Sequence, residues 1–218
     1  MTQNLSRRSF LAGVSAASLL ATSDVHAQQA MPTTPDAALQ RLMDGNKRFA
    51  ADQLQSFAED LRILKANTVN KQEPFAAVLS CADSRVPVEL VFDQTIGHIF
   101  VTRIAGNLIN AEIVGSLEYG AAVLGVKVLL VMGHANCGAV KAAMAKTTVP
   151  GQIASLYPHL EAAVEGGGSF EDVIKRNAVI QANLLARTST VLAPMVKEGK
   201  LKIHPAYFDL ASGKVTLL

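Results

Sequence analysis

Val126-Lys127-Val128-Leu129-Leu130-Val131-Met132-Gly133-His134-Ala135-Asn136-Cys137 runs from an almost unbroken apolar stretch into a histidine and then a cysteine. An apolar run without polar alternation is what a strand covered on both faces looks like, and such strands belong to parallel sheets. The reading places a strand over Val126–Met132, with His134 just beyond its carboxyl end. A helix follows over Cys137–Lys146.

The same pattern recurs upstream. Phe75–Ser80 is a short apolar run followed by Cys81-Ala82-Asp83-Ser84-Arg85. Ile99–Ile104 and Leu201–Asp209 read as further strands, and Val215–Leu218 as a short terminal one after the turn Ala211–Lys214. Helical patterns lie between them: Val86–Phe92 is a short helix or turn opened by Pro87, Asn110–Leu124 and Phe170–Thr190 are helices, and Val191–Lys197 is another turn. Residues 36–66 are mostly helical, with an interruption expected at Gly45-Asn46. Gly166-Gly167-Gly168 follows no strand and reads as a flexible connection. The alternation predicts an α/β fold, a mainly parallel central sheet flanked by helices.

The chain has 218 residues, 50% of them hydrophobic, which suits one well-buried domain. Its formal net charge is +2 with no long basic run, so nucleic acid has no electrostatic footprint. Ser6-Arg7-Arg8-Ser9-Phe10-Leu11 is a twin-arginine pattern; a weakly hydrophobic stretch follows to Ala21, then Val25-His26-Ala27 as a small-residue cleavage site. Residues 1–27 are therefore expected to be a twin-arginine signal peptide, removed near Ala27–Gln28. Residues 28–218 are expected to form a single periplasmic domain with an N-terminal helical arm. The apolar stretch is too short to span a bilayer, so no stable membrane span is expected in the mature chain. The twin-arginine machinery carries folded proteins, which allows a metal to be loaded before export.

Ligands of open parallel sheets gather beyond the carboxyl ends of the strands. If the strands before Cys81 and His134 are neighbours, Cys81, His134 and Cys137 meet there. Two thiolates and an imidazole form a soft donor set that suits Zn²⁺ and leaves a fourth position open. A Cys81–Cys137 disulfide is the competing reading for an exported chain, but it gives His134, Asp83 and Arg85 no role. Asp83 has two candidate partners: the open metal position, or a bidentate pair with Arg85.

Several segments together resemble the β-class carbonic anhydrases: Cys81–Pro87, His134–Val140, Gly45-Asn46-Lys47-Arg48-Phe49, Arg103-Ile104-Ala105-Gly106-Asn107, Gly115-Ser116-Leu117-Glu118-Tyr119, and Ala206–Asp209 through Gly213-Lys214-Val215. The resemblance covers nearly everything after residue 36, with the motifs in family order. It implies reversible hydration of CO₂ to bicarbonate and a proton. It implies one zinc per subunit on Cys81, His134 and Cys137, with water or, in a closed state only, Asp83 as the fourth ligand. Asp83 and Arg85 are then the catalytic dyad that opens the site. The resemblance further implies a homodimer or dimer-based oligomer. A CS₂ or COS hydrolase on the same scaffold and a non-catalytic zinc-binding interaction protein are the alternatives. Two departures stand out: His98 follows Gly97 where many relatives have Asp, and the chain has no Trp, which the bicarbonate-inhibited subgroup uses in its regulatory pocket. His98 is read as a surface or satisfied histidine, with proton acceptor as the other option.

Overall fold

Strand β1 (Ala76–Ser80) and strand β3 (Val128–His134) lie side by side and parallel, with every residue of both buried. β2 (Ile99–Arg103) flanks β1 on one side, and β4 (Lys202–Phe208) flanks β3 on the other. β5 (Val215–Leu217) closes the far edge, antiparallel to β4. The sheet order is β2-β1-β3-β4-β5, so the mainly parallel sheet is present as predicted. The computed structural model describes residues 30–56 and 61–218; the signal peptide expected at residues 1–27 lies outside the described residues. The sheet and its helices form one unit, Met31–Leu218.

Successive strand residues face opposite layers, which splits the core in two. Val78, Val128, Leu130, Met132, Ala206 and Phe208 pack under helix α1 (Pro35–Ala50) and the short helix α3 (Val88–Val91). Ala77, Leu79, Leu129 and Val131 face helices α4 (Ala111–Glu118), α7 (Phe170–Thr188) and α8 (Leu192–Lys197). A third cluster gathers Cys81, Cys137, Leu160, Val173 and Ile174, with helices α5 (Gly138–Met144) and α6 (Tyr157–Glu165) contributing. Helix α2 (Leu61–Thr68) precedes β1. The helix ends follow local chemistry. Thr34 caps α1 ahead of Pro35, Asn110 caps α4, and a reciprocal Ser169–Asp172 box opens α7.

Five details differ from the sequence reading. Helix α1 runs through Gly45-Asn46 without a break and ends at Ala50. A Cβ on Gly45 would lie 1.8 Å from the carbonyl oxygen of Phe92, so the glycine is a point of close approach between α1 and α3. Asn46 is buried beside it. Its amide donates to Val91 O (3.1 Å) and Gly213 O (2.9 Å) and accepts from Val215 N (2.8 Å), tying α1 to α3 and β5. The buried carboxylate of Asp93 then accepts from Arg48 and from the backbone N–H groups of Gln55 and Ser56, which turns the chain after α1.

The third strand is shifted two residues, so that His134 is its last member and pairs with Phe208. The fourth helix leaves α geometry at Glu118 and continues as a π-helical turn over Tyr119–Val123. The Gly166–Gly168 connection is bonded rather than free, because Arg176 donates to Ala163 O (2.8 Å) and Gly167 O (2.7 Å). Helix α6, just before it, carries no apolar stripe strong enough to be read from the sequence; Leu160 and Ala163 are its buried residues.

Candidate metal centre

β1 ends at Ser80, which pairs with Met132, while β3 runs on to His134. That stagger lets the segment after β1 and the tip of β3 share one site. Cys81 follows β1 directly, and Cys137 caps α5 after a turn in which Asn136 adopts φ 56°. Asn tolerates this left-handed conformation better than most residues. The ligating atoms of Cys81, His134 and Cys137 all lie within 4.8 Å of one another, and all three residues are buried. Both cysteines are free.

The histidine is oriented for ligation. Its Nδ1 lies 2.9 Å from the carbonyl oxygen of Ala135. A carbonyl only accepts, so Nδ1 carries the proton and Nε2 presents its lone pair to the two sulfurs. Nε2 is buried and has no hydrogen-bond partner among the described residues. A buried acceptor left unpaired costs free energy, and a metal ion between Nε2 and the two sulfurs removes that cost. The donor set and this orphaned nitrogen fit zinc.

The two thiols share one environment unequally. A hydrogen bond from Cys137 pulls the Cys81 thiol well below its usual range, against burial, with help from His134 and the backbone N–H groups of Gly106 and Asp83. Cys137 is pushed up, first by that same bond and then by burial; the N–H groups of Ala139 and Val140 at the start of α5 oppose the rise. The shared hydrogen bond thus pulls the two thiols apart, down at Cys81 and up at Cys137. A divalent cation favours both as thiolates.

Asp83 sits at the open side of the site, half-buried, with Oδ2 3.8 Å from His134 Nε2. Arg85 holds it through Nε to Oδ1 (2.9 Å) and Nη2 to Oδ2 (2.8 Å). That pairing keeps the Asp83 carboxyl far below the usual carboxylate range, against a smaller opposing effect of burial. Nη2 of Arg85 also donates to Asn136 O (3.2 Å), which joins the Cys81 segment to the His134–Cys137 segment. Of the two partners expected for Asp83, the structure has it on the arginine.

Arg103, the last residue of β2, was quoted in a motif but given no role by the sequence. Its guanidinium donates to Cys81 O (3.0 Å) and to Asp83 O, anchoring the backbone between ligand and dyad. Gly106 N–H donates to Cys81 Sγ (3.3 Å). The available signal was that Arg103 ends a parallel strand, but its role depends on β2 lying next to β1.

His98 is not at the site. It precedes β2 at the amino end of that strand, roughly 16 Å of extended chain from Arg103. It packs against Phe75, with Nδ1 3.4 Å from Arg41 Nη2. Burial, and then the Arg41 charge, lower its pKa to about 4. His159 is exposed and its backbone carbonyl accepts from Gln181, while His204 lies half-buried on β4. No helix among the described residues is long and apolar enough to cross a membrane.

Comparison with known proteins places these features in context. The family model described as carbonic anhydrase matches residues 76–215. The chain is 35% identical over 198 residues to carbonic anhydrase 2 of Mycobacterium tuberculosis, covering 86% of this chain and 95% of that protein. It is similar in structure to a Coccomyxa β-carbonic anhydrase, with TM-score 0.66 and 26% identity over 83% of this chain and 86% of that one. A tetrameric β-carbonic anhydrase of Sordaria macrospora shares the fold at 20% identity, with TM-score 0.65, covering 72% of this chain and 90% of that one.

Proposed function

This chain belongs to the β-class carbonic anhydrases, and from that membership we propose how its own residues carry the reaction and where the protein works. The reaction is the zinc-dependent, reversible hydration of CO₂ to bicarbonate and a proton. Cys81, His134 and Cys137 are the residues that would hold one zinc per subunit. Zinc bound by such a set supplies Lewis acidity, which lowers the pKa of a ligated water toward neutrality.

The protein's part is orientation. Asp83 accepts a hydrogen bond from the attacking water and turns its remaining lone pair toward the carbon of CO₂. Arg85 makes this possible by keeping Asp83 ionised and turned away from the ligand set. Released from Arg85, the Asp83 carboxylate would join Cys81, His134 and Cys137 in holding the ion, which would be the closed state. Arg103 fixes the Cys81–Asp83 backbone, so the distance between ligand and hydrogen-bond acceptor is set by β2. The proton released on attack passes to buffer, and His98, at the other end of β2, takes no part.

One observation carries this reading: a buried Cys81–His134–Cys137 set with an unpaired Nε2, beside a carboxylate already paired with arginine. Stopped-flow CO₂ hydration on zinc-verified protein across pH is the test, with CS₂ hydrolysis as the counter-assay. A zinc-loaded protein inactive on CO₂ but active on CS₂ would overturn the substrate assignment.

The working unit is a homodimer or dimer-based oligomer. The Sordaria macrospora protein is tetrameric, and β2 is an edge strand with half-buried Ile99, Phe100 and Val101. An edge strand bearing apolar side chains favours pairing with another copy. Light scattering on dilute, fully active protein decides this; an active monomer contradicts it. The protein acts in the periplasm after export by the twin-arginine machinery and cleavage near Ala27–Gln28, a reading supported by the ordered Arg7-Arg8, apolar and Val25-His26-Ala27 pattern. Replacing both arginines by lysine should strand the precursor in the cytoplasm, and undiminished delivery on fractionation argues against the route.

A further inference from the structure

Helix α7 carries two fully buried amides one turn apart, Asn177 and Gln181, on a helix whose other buried residues include Val173, Ile174, Ala178, Ala182 and Leu185. Buried amides in an apolar layer are costly unless their bonds are made. These are made. Gln181 Nε2 donates to Asn177 Oδ1 (3.1 Å) and to His159 O (3.0 Å). The remaining two bonds both go to the turn after β2: Asn177 Nδ2 donates to Gly106 O (2.8 Å), and Gln181 Oε1 accepts from Ile109 N (3.0 Å).

That turn is held in an unfavourable shape. Gly106 has φ 79° and Asn107 has φ 44°, two left-handed residues in succession. A Cβ at Gly106 would meet Leu160 at 3.4 Å and Ala139 at 3.5 Å, ordinary contacts, so the glycine is needed for its φ rather than for space. Asn107 is buried, and its Nδ2 has no hydrogen-bond partner among the described residues, so that donor does not stabilise the turn. Besides the turn's own bond from Asn107 N–H to Ile104 O (3.0 Å), the hold on its flanks comes from α7. The result is a single residue pinned at both ends: Gly106 C=O by Asn177, and Gly106 N–H on Cys81 Sγ.

An N–H bond to a thiolate stabilises its negative charge and draws density off sulfur, so the sulfur donates less charge to any metal it ligates. We propose that Asn177 is a positioning residue for the metal centre: acting through Gly106, it aims the N–H that bonds Cys81 Sγ and so sets the metal affinity and electronic character of that ligand. The proposal rests on the reading of Cys81 as a zinc ligand. It extends the working site across two layers of side chains into α7, to a residue that touches neither metal nor substrate.

The test uses the whole protein, loaded with zinc for affinity and with Co²⁺ for spectroscopy. Asn177→Leu keeps the branching at Cγ and removes the donor. Zinc affinity, read by chelator competition, should weaken by roughly 10–100-fold, because the lost stabilisation of the Cys81 thiolate and the lost fixing of its Sγ outweigh the stronger donation of a more electron-rich sulfur. The sulfur-to-cobalt charge-transfer band should move to longer wavelength as Cys81 becomes more electron-rich. Asn46→Ala, which removes an equally buried amide on the opposite layer, should lower thermal stability and leave the band in place. If Asn177→Leu does not fold, Asn177→Ala is read the same way, since it removes the donor without adding bulk. A folded Asn177 variant with the wild-type band and affinity overturns the inference, as does an Asn46→Ala band shift of equal size. A wild-type protein with no sulfur-to-cobalt band overturns the ligand assignment, and the inference with it.

Discussion

Asp83 and Arg85 are joined three times over: two parallel side-chain bonds of 2.9 and 2.8 Å, and a third from the Arg85 backbone N–H to Asp83 Oδ1 at 2.9 Å. The third bond belongs to the backbone, so it survives loss of the guanidinium, but it reaches only one carboxylate oxygen. The side chain of Arg85 is therefore what fixes the direction in which Oδ2 points.

The first prediction follows from that division. Asp83→Asn should keep zinc near one per subunit, because Cys81, His134 and Cys137 remain, and should lower kcat by roughly 100-fold or more. Wild-type hydration by this variant would rule out the dyad while leaving the metal set standing.

Arg85→Ala should act differently. Asp83 loses the bonds that turn it aside, and Asp83 Oδ2 starts only 3.8 Å from His134 Nε2. The variant should populate the state in which the carboxylate ligates the metal. With Co²⁺ in place of zinc, its absorption spectrum should stop responding to pH. A spectrum that titrates as the wild type does would show that Arg85 is not what holds Asp83 away.

Cys137→Ser should weaken zinc binding by roughly 100-fold or more, since a serine hydroxyl is not deprotonated as a thiol is beside a cation. Elemental analysis of the folded variant after dialysis against chelator reads this directly. Full zinc occupancy would remove Cys137 from the ligand set.

Gly45→Ala tests the seam between α1 and α3. The added methyl has no room against Phe92 O, so the helices must part; the cost should be about 2–3 kcal/mol of folding stability. Urea unfolding should show a lower midpoint at unchanged slope. A midpoint within error of wild type would mean that the seam opens freely.

His98 supplies a pH dependence. Unfolded, its imidazole takes up a proton near pH 6.5; folded, burial and Arg41 delay this to about 4. The unfolded state thus binds more protons between these values, so stability falls as pH drops from about 6.5 to 4 and stops falling on this account below that. At pH 7 and above, His98 contributes nothing. His98→Gln should show a shallower decline of Tm across the same window, and parallel curves would contradict the assignment.

The strands and the convergence of Cys81, His134 and Cys137 were legible because one physical pattern marks both. Strands buried on two faces are apolar runs, and donors placed immediately after such runs meet wherever the runs are neighbours. Asp83 and Arg85 were legible for the same reason, lying on the same short segment as Cys81. Gly45-Asn46 was misread because its chemistry signals a break in isolation. The reason it does not break lies in Phe92, Val91, Gly213 and Val215, which only the folded chain brings to it. Asn177 was invisible for a similar reason: within α7 it is one polar letter among several, and its partner, Gly106, is 71 positions away. Arg103 could be quoted but not placed, because its work on Cys81 and Asp83 depends on the register of β2 against β1.

The donor triad draws on two neighbouring strands of the sheet, with helices α3 and α4 and the edge strand β2 between Cys81 and His134. Any cation bound there is thus a removable cross-link through the middle of the sheet, closing a long loop of polypeptide without a covalent bond. The unfolded chain cannot present this donor geometry, so the ion shifts the folding equilibrium by RT ln(1 + [Zn]/Kd). The melting temperature of this protein is accordingly a gauge of free zinc. A starved compartment would lose the structure's central staple together with its chemistry.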